Sequence, residues 1–162
     1  MEGVLRKDGE RMAVRFEREL EATPSEVWAA LTEPSLLEGW LAAAEVDLRV
    51  GGVVRLRFDD GQMEGGRILE LDPPRVLEYE WTFPREPTSV VRFELEPVGG
   101  ERTRLVLDHR LLDEKSGPGY GAGWHSHLDA LTAILAGTGA GDWWKRYEAL
   151  RPSYEERASA LP

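Results

Sequence analysis

The chain contains no cysteine among its 162 residues. That absence removes disulfides, thiolate nucleophiles, iron–sulfur clusters and cysteine-ligated zinc together. Lysine is nearly as scarce. Lys7, Lys115 and Lys145 all stand in turn-like or polar contexts, where nothing desolvates an amine enough for Schiff-base chemistry. Positive charge is short overall, with 20 Lys and Arg against 30 Asp and Glu and a formal net charge of −10. Phosphate backbones and anionic bilayers require a basic face, so neither nucleic acid nor a membrane surface is an expected partner. Long apolar runs are missing as well. None approaches the ~18 residues of a membrane span, and "MEGVLRKDGE" lacks the apolar centre of a secretion signal. A cytoplasmic location is the expectation.

With 41% hydrophobic and 31% charged residues, the composition is that of an ordinary globular protein. At this length one domain buries roughly 68–70% of its unfolded surface, enough for a core and an internal cavity. Asp8-Gly9 between two extended runs marks a hairpin, since glycine tolerates the positive φ of a tight turn. Met12, Val14, Phe16 and Leu20 share one face of the second run; Arg18 breaks that parity and is assigned to a wet sheet edge rather than a buried ion pair.

From Ala44 to Leu112 the apolar period is two. Val46 and Leu48, then Val54, Leu56 and Phe58, then Leu77, Tyr79, Trp81 and Phe83 alternate with charged or polar neighbours. Val91, Phe93 and Leu95 do the same, followed by Thr103, Leu105, Leu107, His109 and Leu111. Turn signals at "VGG" (50–52), "DDG" (59–61), "DPP" (72–74) and "VGG" (98–100) separate the runs. The pattern is an antiparallel meander with one apolar and one charged face. Gly65-Gly66 is a candidate bulge that would shift which residues point inward.

Helical signals bracket the meander. Thr23, Pro24 and Glu26 form a start signal for a helix over about 24–31, and Ser35 with Glu38 repeats it for a second at about 35–41. Trp124, His127, Leu128, Leu131, Ile134 and Leu135 lie on one face of a longer helix at about 119–136, with Gly137 as its C-cap. The Gly-rich "GPGYGAG" ahead of it has no Lys-Ser/Thr and reads as an adjustable lead into the helix, not a phosphate loop. Beyond it, "GDWWKRYEALRPSYEERASALP" reads as two short helices broken at Pro152.

The candidate chemistry rests on three histidines. His125 and His127 are two apart, about 200° around a helix, and so cannot hold one metal from a single face. No metal or other cofactor is expected. His125 falls on the polar side and reads as solvated. His127 and His109 fall on apolar faces, each as a hydrogen-bonded core imidazole or as a group looking into a cavity. The carboxylates sit at outward parity among arginines, where cross-strand pairing accounts for them.

The order of strand, two short helices, six-strand meander and long C-terminal helix resembles the START-like (SRPBCC, pollen-allergen-type) fold. "PSEVWAALTEPSLLEGWL", "GRILELDPPRVLEYEWTF" and "GWHSHLDALTAIL" are similar to the activator-of-heat-shock-protein-ninety-ATPase homologue family. The resemblance covers about residues 11–137 and implies an α+β helix-grip domain, assigned to residues 1–137, with a curved antiparallel sheet gripping the long helix and a cavity between them. Relatives bind lipids, polyketides or aromatic molecules, and some are cyclases or aromatases. A closed lipocalin-type barrel is the rival architecture, and would leave Trp124 and Leu131 near solvent. Residues 138–162 form an extension that folds back on the domain or makes a homodimer contact, because Trp143, Trp144 and Tyr147 form too much aromatic surface for a free tail.

Inward parity names a lining for the cavity: Leu56, Phe58, Tyr79, Trp81, Phe93, Leu107 and His109 from the sheet, Trp124, His127, Leu128 and Leu131 from the helix. Three functions fit. The first is a non-catalytic carrier or sensor of a small hydrophobic or aromatic molecule. The second is a cyclase/aromatase- or hydrolase-like enzyme using His109 or His127 as general acid or base, with Tyr79 nearby. The third is a chaperone-activating protein-interaction module.

Overall fold

The computed structural model describes residues 2–59 and 61–162, with residues 62–64 described in their backbone alone. Eight described strands form one sheet: β1 (Val4–Asp8), β2 (Arg11–Leu20), β3 (Ala43–Val46), β4 (Val53–Phe58), β5 (Gly61–Asp72), β6 (Val76–Trp81), β7 (Ser89–Pro97) and β8 (Thr103–Asp113). Their order is β1-β2-β8-β7-β6-β5-β4-β3 and every neighbouring pair is antiparallel. The six consecutive strands β3 to β8 are the meander that the period-two pattern implies. The hairpin β1–β2 then joins the sheet through β8, with Gly9 at φ +63° in its turn. Of the 59–61 turn, Asp60 lies outside the described residues.

Four helices accompany the described strands: α1 (Pro24–Thr32), α2 (Pro34–Trp40), α3 (Gly117–Leu135) and α4 (Trp143–Ser159). α3 lies against the inner face of the sheet. Trp124 and Leu131 are 2% and 0% exposed, which eliminates the barrel alternative and establishes the helix-grip arrangement. The indole of Trp124 packs 5.3 Å from that of Trp81 and meets Phe93 edge-on at 5.9 Å. No described helix is long and apolar enough to cross a membrane.

The local signals act largely as their chemistry requires. Thr23 caps α1: its hydroxyl oxygen accepts from the Glu26 amide at 3.2 Å and donates to the Glu26 carboxylate at 3.1 Å. Ser35 does not start α2. The helix begins at Pro34, with Glu33 serving both as C-cap of α1 and N-cap of α2. One shared residue leaves no room for the Ser35–Glu38 box. The Trp40 indole N–H then ties the pair together by donating to the Ala30 carbonyl at 2.8 Å.

Bulges account for the departures from strict alternation. Between Val54 and Leu56 of β4 the facing strand spends an extra residue, and Gly65 takes it up at φ +79°. In β8 three steps from His109 to Leu112 face two steps from Val14 to Met12, with Leu111 at φ +64°. The parity therefore flips: Leu111, expected inside, is exposed, and Leu112 is buried. Leu48 is also exposed, because β3 stops at Val46.

The C-terminal segment is one continuous helix, not two. Pro152 sits inside α4, where loss of a ladder hydrogen bond and ring crowding cost about 3 kcal/mol. Packing on α3 offsets that cost. Tyr154, two residues further on, is fully buried, and its ring lies where a Cβ on Gly121 would come within 2.5 Å of its Cδ1. The glycines of "GPGYGAG" thus belong to the first turns of α3 itself. Gly121 lets α4 approach, and Gly117 leaves room for Met12, whose Sδ would lie 2.8 Å from an added Cβ.

Candidate functional site

Between the ends of β4 and β6 and the facing sides of α3 and α4 lies a cleft of about 490 Å³. Phe58, Trp81, Trp124 and His127 line it, as the sequence pattern expects. The other seven residues named from parity (Leu56, Tyr79, Phe93, Leu107, His109, Leu128 and Leu131) are buried in the packed core, outside this cleft. The cleft instead gains Phe83, Glu86, Tyr120, Trp143, Trp144 and Tyr147. Phe83 belongs to the β6 alternation, and the aromatic trio of α4 is conspicuous in sequence. Glu86 and Tyr120 carry no comparable signal.

The floor is aromatic. Phe58 lies 6.0 Å from Trp81 and 5.7 Å from Phe83, centroid to centroid. One wall is α4, where Trp143 stacks on Tyr147 at 4.9 Å and 11°. Trp143 also covers His127 at 4.9 Å. A second cavity of about 610 Å³ lies on the far side and shares Phe58, His127, Trp143 and Trp144 with the first. His127 and Trp143 thus line both cavities.

His109 is fully buried and bonded through both ring nitrogens. The Trp124 indole N–H donates to Nδ1 at 2.8 Å, so the ring proton is on Nε2, which donates to the Ser89 hydroxyl at 2.7 Å. Burial pushes its pKa down to about 3. A ligand could reach this imidazole only by breaking one of those bonds.

His127 differs. Its Nδ1–H donates to the Trp40 carbonyl at 3.0 Å. Burial lowers its pKa to about 4, the Trp40 carbonyl opposing and the nearby Arg146 charge assisting. At neutral pH it is an uncharged imidazole in an aromatic setting.

The opposite end of the cleft holds a relay. The Trp81 indole donates to the Tyr120 hydroxyl at 3.0 Å, and that hydroxyl donates to the Glu86 carboxylate at 2.5 Å. Burial pushes the Tyr120 phenol well above its usual range, and Glu86 reinforces the shift. Arg85, at φ +68°, forms the turn that brings Glu86 over the cleft. Lys115 lies at the rim with Arg151, which pairs with Glu155 at 2.7 Å.

Two sequence expectations are corrected beneath α4. His125 is not solvated: the helix covers the supposed polar side of α3, leaving the residue 8% exposed with Nδ1 2.8 Å from the Tyr154 hydroxyl. Arg18 is not at a wet edge. Its side chain is 9% exposed and pairs with Asp129 of α3 at 2.8 Å.

The antiparallel sheet closed over a long helix, with an aromatic cleft at one end, defines a protein of the START-like helix-grip class. Residues 21–136 match the family described as "Activator of Hsp90 ATPase homolog 1-like protein", and the chain belongs to that family. CalU16 from Micromonospora echinospora is similar over 98% of each chain, with a TM-score of 0.80 and 26% identity. DynU16, described as a putative protein in the dynemicin biosynthetic locus, is 25% identical with a TM-score of 0.70, the match covering 79% of this chain and 49% of that one. An HSP90 activator from Plasmodium falciparum has a TM-score of 0.59 over 74% of this chain and 94% of its own. At 21% identity that last likeness is one of fold alone. No curated protein matches the chain significantly in sequence.

Proposed function

We propose that the chain binds a small, flat, apolar or aromatic molecule in the cleft between the sheet edge and α3/α4, as a carrier or sensor and not as a catalyst. One observation carries this reading. The rings of Phe58, Trp81, Phe83, Trp124, Trp143 and Tyr147 surround an open volume of about 490 Å³ instead of filling it. Small-molecule sites have this size and make-up, ~300–1,000 Å³ of mostly aromatic and aliphatic wall with a few polar groups. The likeness to DynU16, placed by its description in a biosynthetic locus, supports a small molecule over a macromolecule.

The acid–base reading is weaker on the geometry of its own residues. His109 has both nitrogens occupied, and Tyr79 is buried with its phenol pushed far above its usual range by desolvation. Neither meets a ligand in the cleft; His127, the other histidine of that reading, does line it, as a neutral imidazole whose pKa burial lowers to about 4. The protein-interaction reading draws on the family's description and on a relative whose likeness to this chain is one of fold alone.

Titration with the neutral dye 1-N-phenylnaphthylamine tests the proposal in wild type, Phe83→Ala and Tyr147→Ala. Both residues line the cleft and are only partly buried, so the fold should survive either change. Saturable fluorescence enhancement in wild type, weakened several-fold in each variant, is expected. Equal titrations in all three proteins would remove the cleft as the site.

A further inference from the structure

Most polar groups of the cleft are already bonded to one another. Three of its inner donors are bonded within the protein, while the buried Nε1–H of Trp143 has no partner among the described residues. The Trp81 indole N–H goes to Tyr120, the Trp124 indole N–H to His109, and the Tyr120 hydroxyl to Glu86. Two acceptors stand at its ends: the Glu86 carboxylate and one nitrogen of His127.

The free nitrogen of His127 is set by its partner. A backbone carbonyl only accepts, so the bond to Trp40 fixes the proton on Nδ1. The neutral ring then presents Nε2 as a bare acceptor. Among the described residues no protein group hydrogen-bonds this nitrogen, and it is not among the buried, unpartnered polar atoms. It is therefore reached from the cavities that the ring lines. Around it stand Phe58 at 6.0 Å, Trp124 at 5.9 Å and Trp143 at 4.9 Å, and none of these rings hydrogen-bonds it.

We infer that the cleft selects aromatic ligands carrying a hydrogen-bond donor, above all a phenolic hydroxyl, and that Nε2 of His127 accepts from it. This deepens the binding function proposed above and rests on it. A ligand without a donor displaces water from Nε2 and leaves the lone pair unpaired against aromatic rings, whereas a phenol restores the bond. Lys115, the other cationic side chain lining the cleft besides the paired Arg151, stands at the rim, away from this nitrogen's aromatic surround. One neutral hydrogen bond of this kind corresponds to a preference of roughly 5- to 10-fold.

Equilibrium dialysis of 2-naphthol and 2-methoxynaphthalene against the full chain tests this. The two probes share a ring system, and the ether keeps the oxygen while losing the donor. Wild type should hold 2-naphthol roughly 5- to 10-fold more tightly. In His127→Phe, which keeps a ring but no acceptor, the ratio should fall to about 1. His127→Asn is the second variant, because its amide N–H can still reach the Trp40 carbonyl while the Nε2 lone pair is gone; it should lose the preference too. Equal binding of the probes to wild type, or a preference surviving in both variants, overturns the inference and leaves the aromatic cleft standing. Failure of both probes to bind wild type overturns the inference and the proposed function together.

Discussion

The hydroxyl of Tyr154 lies 2.8 Å from Nδ1 of His125 and accepts the backbone N–H of Gly3, also at 2.8 Å. On the other side of the His125 ring, Nε2 faces Asp129 at 3.8 Å. One phenol thereby joins α4, α3 and the N-terminal segment. Tyr154→Phe keeps the ring and strands two buried partners, with an expected loss of about 1–3 kcal/mol. Urea unfolding measures it, and hydrogen exchange should show the amides of α4 losing protection ahead of those in β7 and β8. Uniform loss across the chain would speak against a local anchor.

Gly121→Ala places a methyl 2.5 Å from Cδ1 of that same buried ring. Alanine favours an isolated helix by about 1 kcal/mol over glycine, so a purely local effect would raise the melting temperature. Overpacking of about 1–3 kcal/mol should win and lower it. Gly119→Ala is the control, since its Cβ would meet nothing nearer than the Tyr147 hydroxyl at 3.5 Å. That variant should be neutral or slightly stabilised.

Acid should weaken the fold through His109. The folded ring stays neutral down to about 3, whereas the unfolded one takes up a proton near 6.5. Below that upper value the unfolded chain binds more protons, so stability is complete above pH 6.5 and falls as the pH drops through the window. At about pH 5 this one residue should cost about 2 kcal/mol relative to neutral pH. His127, lowered to about 4, acts with the same sign. Urea midpoints measured from about pH 8 down to about pH 5 should decline, with the His109 ring resonances unshifted throughout. A flat midpoint, or a ring titrating near its ordinary value, would contradict the buried neutral assignment.

The ion pair between Arg18 and Asp129 joins β2 to α3 with the guanidinium side 9% exposed and the carboxylate side 36% exposed. Asp129→Asn should destabilise by about 1–3 kcal/mol, below the cost for a fully buried pair because the carboxylate still meets water. Glu19→Gln, which breaks an exposed pair with Arg102, should cost less than about 1 kcal/mol. Equal effects in thermal unfolding would mean that the burial of Arg18 contributes nothing.

The meander, the helix grip and the first helix cap are legible in the sequence because they rest on short-range periodicity and on chemistry within three or four residues. What lies beyond its reach depends on contacts between distant segments. His125 reads as solvated because its cover, Tyr154, is 29 residues away, and Arg18 finds Asp129 across 111. Parity assigns Leu111 inward because a bulge cannot be read from alternation alone. Parity also tells which face of a strand is buried, not how deep. Phe58 and Trp81 meet the cleft, while Tyr79, Phe93, Leu107 and His109, on the same face, lie in the core. Glu86 enters the site through a positive φ at Arg85, a position where arginine gives no sequence signal.

The most direct measurement of the central claim uses the six tryptophans as reporters. Their indole N–H resonances, recorded in ¹H–¹⁵N spectra during titration with 2-naphthol, sample the cleft and the rest of the molecule at once. Trp81, Trp124, Trp143 and Trp144 line the cleft, and Trp28 on α1 lies away from both aromatic cavities. The account predicts saturable shifts at those four with Trp28 unmoved. Shifts at Trp28 alone, or none at any indole up to the solubility limit of the probe, would contradict it.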